Sequence, residues 1–194
     1  RLGLVGSEMC IRDRINANGG VLGKQLEAKI IDMDILTPEG GVAAMQTLIE
    51  ANVHAIASAF TILPQPAMDA AAPSGIPYIH GNTSSVNVDM FQSDPKKYRN
   101  IFQLDVAEVW YGTGFVRFLT NLKNSGKWTP KNNKIHIVQG QTSYNLNISR
   151  ATQEEVARTN GEWVISEVTD IQFPVQDWTP VIQSLKENDS GALM

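Results

Sequence analysis

From Ile15 onward, short aliphatic runs alternate with longer stretches of helical spacing, and this alternation constrains the fold more than any other feature. Gln25 to Ile31 reads as a strand with Leu26, Ala28 and Ile30 on one face. Further strands are expected at Ala55 to Ala57, Ile76 to Ile79, Ile101 to Leu104, Ile135 to Val138 and Trp163 to Val168. Between them, Thr37-Pro38-Glu39 has the form of a helix start, with a cap, a proline at the first helical position and an acid in the first turn. Val42, Met45, Leu48 and Ile49 then continue helical spacing to Asn52. Helices are also expected over Pro64 to Ala72, Val106 to Leu122, Ile148 to Ala157 and Asp177 to Lys186. In the helix from Val106, Val106, Trp110, Phe115, Phe118, Leu119 and Leu122 fall near one face. The residues towards Met194 read as a turn into another strand. Strands separated by helical crossovers imply parallel sheets and an α/β fold.

The 194 residues suffice for one large domain or two small ones. A hydrophobic share of 42% is compatible with a packed core, and no apolar run reaches the length of about 18 residues that a membrane span needs. Net charge is -4 with acids and bases interspersed, so no basic stripe points to nucleic acid. Cys10 is the one cysteine, which excludes an intrachain disulfide.

Residues 1–14 stand apart. Leu4-Val5-Gly6-Ser7-Glu8-Met9-Cys10-Ile11-Arg12-Asp13 reads as the conceptual translation of a sequencing adapter, to be set aside from fold reasoning. The alternative is a genuine strand, Arg1 to Gly6, followed by a helix. Without residues 1–14 the chain loses Arg1, Arg12 and Arg14 against Glu8 and Asp13, which leaves 13 basic and 18 acidic residues and no cysteine.

Several residues invite a chemical reading and have a structural one. Asn18-Gly19-Gly20-Val21-Leu22-Gly23 is glycine-rich like a dinucleotide fingerprint, but it follows a helix and precedes a strand, the reverse of the order that fingerprint needs. Glycines there suit a helix C-terminal cap. Asp32 and Asp34 follow a strand end, where aspartate caps turns. His54, His80 and His136 lack metal-ligand spacing and read as surface or packing residues. Nucleophile elbow, phosphate loop and zinc motif are missing, so catalysis finds little support and no cofactor or metal is implied. Ala57 to Thr61 and the polar turn His80 to Ser85 are different. Both lie at strand ends, where α/β sheets present ligands, and both offer hydroxyls, amides and backbone N–H groups before a helix. Such groups suit a carboxylate.

The order of motifs resembles the branched-chain amino acid type ABC-transporter substrate-binding proteins, which are type I periplasmic binding proteins. Ile15 to Lys24 is similar to that family's "INAAGGILG", Ala43 to Asn52 to its "AAARRLI" helix, and Gly75 to Ile79 to "GVPLIS". Ile56 to Thr61 resembles a strand leading to a ligand-binding Ser or Thr. Gln139 to Asn145 resembles the second-lobe turn ending in "YG", and Asp177 to Pro180 resembles "DFSP". The resemblance spans residues 15–194 and implies a two-lobed fold of parallel sheets, truncated at both ends. Residues 15–106 would form the N-terminal lobe without its first strand. Residues 107–194 would form the second lobe without its C-terminal part, the crossing falling near Asp105 to Ala107.

The resemblance also implies a function: capture of an amino acid, amide or similar small polar compound by hinge closure, and delivery to ABC permease subunits at the periplasmic or extracellular face. A sensory ectodomain of the same fold is the alternative, and an α/β enzyme a distant one. Carried over by position, Thr61 would donate a hydroxyl to a ligand carboxylate. Asn82, Thr83 and Ser84 would hold the α-carboxylate and α-amino groups, and Tyr144 would close over the ligand. Trp110 and Tyr111 would lie near the hinge. Three departures mark this chain: Ala57 replaces a glycine, Asn82 and Thr83 replace small residues, and Tyr144-Asn145 replaces "YG". The bulkier, more polar loop points away from leucine or valine and towards an amide or another polyfunctional acid.

Overall fold

The computed structural model describes residues 5–172 and 174–194, with side chains from Cys10 onward. Two separate three-stranded parallel sheets organise it. The first has the order β1-β2-β3, formed by Ile56–Ser58, Tyr78–His80 and Ile101–Gln103, with Ile56 beside Tyr78 and Tyr78 beside Ile101. The second places β4, Lys134–Gly140, between β5, Val164–Ile171, and β6, Ala192–Leu193.

Helices α1, Val5–Ala17, α2, Pro38–Glu50, α3, Pro64–Ala71, and α4, Ser85–Ser93, belong to the first half of the chain. The expected cap of α2 forms: Thr37 Oγ1 accepts the Gly40 N–H at 3.2 Å. Asp34 prepares that turn by accepting the Leu36 N–H at 2.9 Å and the Thr37 hydroxyl at 3.0 Å. Gly41 of α2 faces Ala67 of α3. Under these helices Met45, Ile56, Ala67, Met68, Ala71, Tyr78, Tyr98 and Ile101 make one core. Helices α5, Val109–Asn124, α6, Ser143–Arg158, and α7, Thr179–Asn188, serve the second sheet. There Val116, Leu119, Ile135, Ile137, Val156 and Trp163 make the other core, and Trp163 stacks on Trp128 with centroids 6.0 Å apart.

Three expectations need correction. Gln25 to Ile31 is not a strand, because no neighbouring strand among the described residues supplies a ladder. The Asn16 side chain substitutes for one at a single residue: Asn16 Oδ1 accepts the Leu26 N–H at 2.7 Å and Asn16 Nδ2 donates to the Leu26 carbonyl at 2.9 Å. Ile30 consequently stays 67% exposed. The second correction concerns α5, which begins at Val109 and buries Gly112, Val116 and Leu119, whereas Val106, Trp110 and Phe118 are each more than half exposed. Gly112 sets that face, since a Cβ there would overlap the Ile148 carbonyl oxygen of α6. Thirdly, His80 is the last residue of β2 rather than part of the turn, registered between Ser58 and Gln103.

Gly19 and Gly20 follow α1 with φ of 94° and 76°, the left-handed region expected of a helix cap. Of the alternative strand at Arg1 to Gly6, residues 1–4 lie outside the described residues, and Val5 and Gly6 begin α1. No described helix is long and apolar enough to cross a membrane.

Candidate functional site

Parallel strands deliver their carboxyl ends to the same side of a sheet, and β1 and β2 place Thr61 and the Gly81–Ser85 turn together there. The Gly81 N–H donates to the Ser58 carbonyl at 3.0 Å, which holds the turn against β1. A Cβ at Gly81 would collide with the Ala59 carbonyl, so this close approach needs glycine. Thr61 and Asn82 are both buried and doubly bonded. The Thr61 N–H donates to Asn82 Oδ1 at 2.6 Å, and Asn82 Nδ2 donates to Thr61 Oγ1 at 3.1 Å.

Ser84 caps α4, its Oγ accepting the Val86 N–H at 3.3 Å. Thr83 points the other way, and its hydroxyl lies 2.7 Å from the hydroxyl of Tyr144. Tyr144 is held by the start of α6, where Thr142 Oγ1 accepts the Asn145 N–H at 3.3 Å. The Tyr144 ring meets Phe60 edge-on, with centroids 6.1 Å apart. Thr61 thus meets Asn82, and Thr83 meets Tyr144, while the Ser84 side chain bonds within its own helix start. Trp110 and Tyr111 do not join them. Trp110 is 55% exposed and lines a groove between α5 and α6 with Arg150 and Arg158, while the Tyr111 hydroxyl donates to Asp105 at 3.4 Å.

Sequence reasoning missed Glu108 and Asn147. Glu108 is fully buried and bridges the two halves of the chain. Its carboxylate accepts the Ser85 N–H, the Ser85 hydroxyl at 2.8 Å and Asn147 Nδ2 at 2.8 Å. Glu108 follows the crossing segment and precedes a helix, so its position reads like an ordinary first-turn acid. Asn147 could have been found, since it lies one helical turn after Tyr144 and shares its face. None of the described hydrogen bonds of Thr61, Asn82, Thr83, Ser84, Glu108 or Tyr144 involves a lysine or arginine.

His80 and His136 serve packing, whereas His54 is exposed. His80 is buried beside the Tyr78 ring, and that burial pushes its pKa below the ordinary imidazole value. His136 is buried with Nε2 2.7 Å from the Thr169 hydroxyl. Among the described residues no group of three or more His, Cys, Asp or Glu side chains could hold a metal ion.

Comparison with solved structures gives the same architecture. A protein from Silicibacter pomeroyi designated a branched-chain amino acid ABC transporter superposes with a TM-score of 0.85 at 30% identity, over 95% of this chain and 47% of that one. An ABC transporter substrate-binding protein from Desulfitobacterium hafniense, in complex with Leu, gives 0.69 at 17% identity, over 95% and 51%. A solute-binding protein of an ABC transporter from Rhodopseudomonas palustris BisB5, in complex with 3,4-dihydroxybenzoic acid, gives 0.66 at 19%, over 97% and 48%. The chain spans about half the length of these structures. Comparison with curated protein sequences gives no match. The family profile described as periplasmic binding protein matches residues 4–194. With the profile matching nearly the whole chain and the two parallel sheets in the expected order, the chain belongs to the periplasmic binding protein family.

Proposed function

We propose that this chain captures a small polar solute between its two sheets by hinge closure and, on the extracytoplasmic side of a membrane, presents it to the permease of an ABC importer. Residues 15–106 act as the first lobe and residues 107–194 as the second. Thr61, Asn82, Thr83 and Ser84 form the first-lobe wall of the cleft and Tyr144 the second-lobe wall, with Trp110 and Tyr111 flanking the hinge. The chain works by binding alone and is not an enzyme.

The observation that carries this reading is the Thr83–Tyr144 hydrogen bond, a contact between strand-end turns served by different sheets. Closure of such a cleft must be driven by contacts made better in the closed state. An aromatic ring that both excludes water and hydrogen-bonds across the cleft meets that requirement. Calorimetry with amino acids and their amides tests the reading: a bound compound should lose at least about ten-fold in affinity on Tyr144→Ala. Binding unaffected by that substitution would place the ligand elsewhere.

A further inference from the structure

Two backbone donors at the carboxyl end of the first sheet, the Thr61 and Ser85 N–H groups, are taken by the chain's own side chains. At the end of β1, the buried Asn82 carboxamide sets one oxygen against the Thr61 N–H at 2.6 Å and its nitrogen against Thr61 Oγ1 at 3.1 Å. That oxygen occupies the Thr61 N–H, which an incoming carboxylate oxygen would otherwise be free to take. A second, independent observation lies at the first turn of α4, whose amide groups would otherwise favour an anion. There the Ser85 N–H and hydroxyl both go to the buried Glu108 carboxylate, and the Val86 N–H goes to Ser84 Oγ. All three partners of Glu108 are donors, so both of its oxygens act as acceptors. A ligand anion entering here would find one corner filled and acceptor oxygens beside the other, with no lysine or arginine among the hydrogen-bond partners of either.

We propose that Asn82 and Glu108 set the specificity of the cleft against carboxylates and in favour of small solutes that present neutral or cationic hydrogen-bond donors, amides and amines above all. The ligand class rests on the solute-capture reading; the filling of the Thr61 corner by Asn82 does not.

Two measurements on the protein separate these statements. The first is an acetate titration followed by the amide resonances of Thr61 and Ser85. In the wild type both should stay in place. In Asn82→Ala the Thr61 resonance should move saturably, with an apparent affinity at least about ten-fold higher. Asn82→Asp returns an acceptor oxygen to the corner and should again make Thr61 insensitive, which distinguishes an emptied corner from a damaged fold. The second measurement compares leucinamide with leucine and benzamide with benzoate. The wild type should favour the amide of each pair by about ten-fold or more, and Asn82→Ala should narrow that preference. Acetate moving the wild-type Thr61 resonance as far as in Asn82→Ala, or leucine binding as tightly as leucinamide, would overturn the proposal. Exclusion of acetate with no response to either amide would overturn solute capture while supporting the role of Asn82.

Discussion

The hydroxyls of Thr83 and Tyr144 lie 2.7 Å apart, 61 positions distant in sequence, and join the turn after β2 to the first turn of α6. Tyr144→Phe removes one partner and keeps the ring against Phe60. A single neutral hydrogen bond contributes about 0.5–1.5 kcal/mol net, so the closed-to-open ratio should fall roughly two- to ten-fold. Interlobe distance distributions from paired spin labels measure that ratio directly. An unchanged distribution would show that the contact contributes nothing to closure.

Glu108 should matter more to stability than its position before a helix suggests. Glu108→Ala leaves the Ser85 N–H without its acceptor, at a cost of about 1–3 kcal/mol for the orphaned group, and leaves Asn147 Nδ2 with only its longer bond to Ser85 Oγ. Glu108→Gln retains one acceptor oxygen and should lose less. Urea denaturation of the two variants ranks them, and equal loss would mean that volume rather than hydrogen bonding is what Glu108 supplies.

Acid sensitivity should come partly from Glu155. Arg117 Nε at 2.8 Å and Arg158 Nη1 at 2.9 Å hold its carboxyl below the usual 4.5. A folded-state pKa below the unfolded one gives stability that is complete above the unfolded value and is lost as pH falls through the folded value. Both arginines are well exposed, at 60% and 65%, so solvent screening keeps the contribution under about 1 kcal/mol. Glu155→Gln should therefore cost slightly at neutral pH, and that cost should shrink as pH falls below 4.5, as read by denaturation across that range.

His80 acts over a higher window. Burial disfavours its charged form and lowers its pKa from 6.5, so the unfolded chain binds the proton more readily. Stability should fall as pH drops below 6.5 and level off once it passes the lowered folded-state value. His80→Gln removes that titration. The stability difference between wild type and variant should shrink on going from pH ~7 to pH ~5, and a constant difference would exclude His80 as the source.

Much of the architecture was legible because local signals and tertiary demand agree. The Thr37 cap, the Pro64 start and the buried runs at Ile56, Ile101 and Ile135 appear where spacing puts them. Thr61, Asn82, Thr83 and Ser84 are found together because strand-end turns of a parallel sheet share one side. What failed depends on neighbours distant in sequence. Gln25 to Ile31 has strand alternation, but alternation without an adjacent ladder yields no strand. The buried face of α5 follows Gly112, whose missing side chain matters only because α6 lies against it. Glu108 was illegible for the same reason: its partners Ser85 and Asn147 lie 23 and 39 positions away.

Closure between the two sheets is tested most directly by the distance between one spin label on the first lobe and one on the second. Glu50 and Lys186 are exposed positions for them, with exposed Cys10 replaced so that it takes no label. Leucinamide and benzamide, beside leucine and benzoate, are the compounds to add. The free protein should give a broad distribution that shortens and narrows when an amide binds, and that broadens again in Tyr144→Ala. A distribution unchanged by every compound, or equally narrow with and without them, would contradict capture by hinge closure.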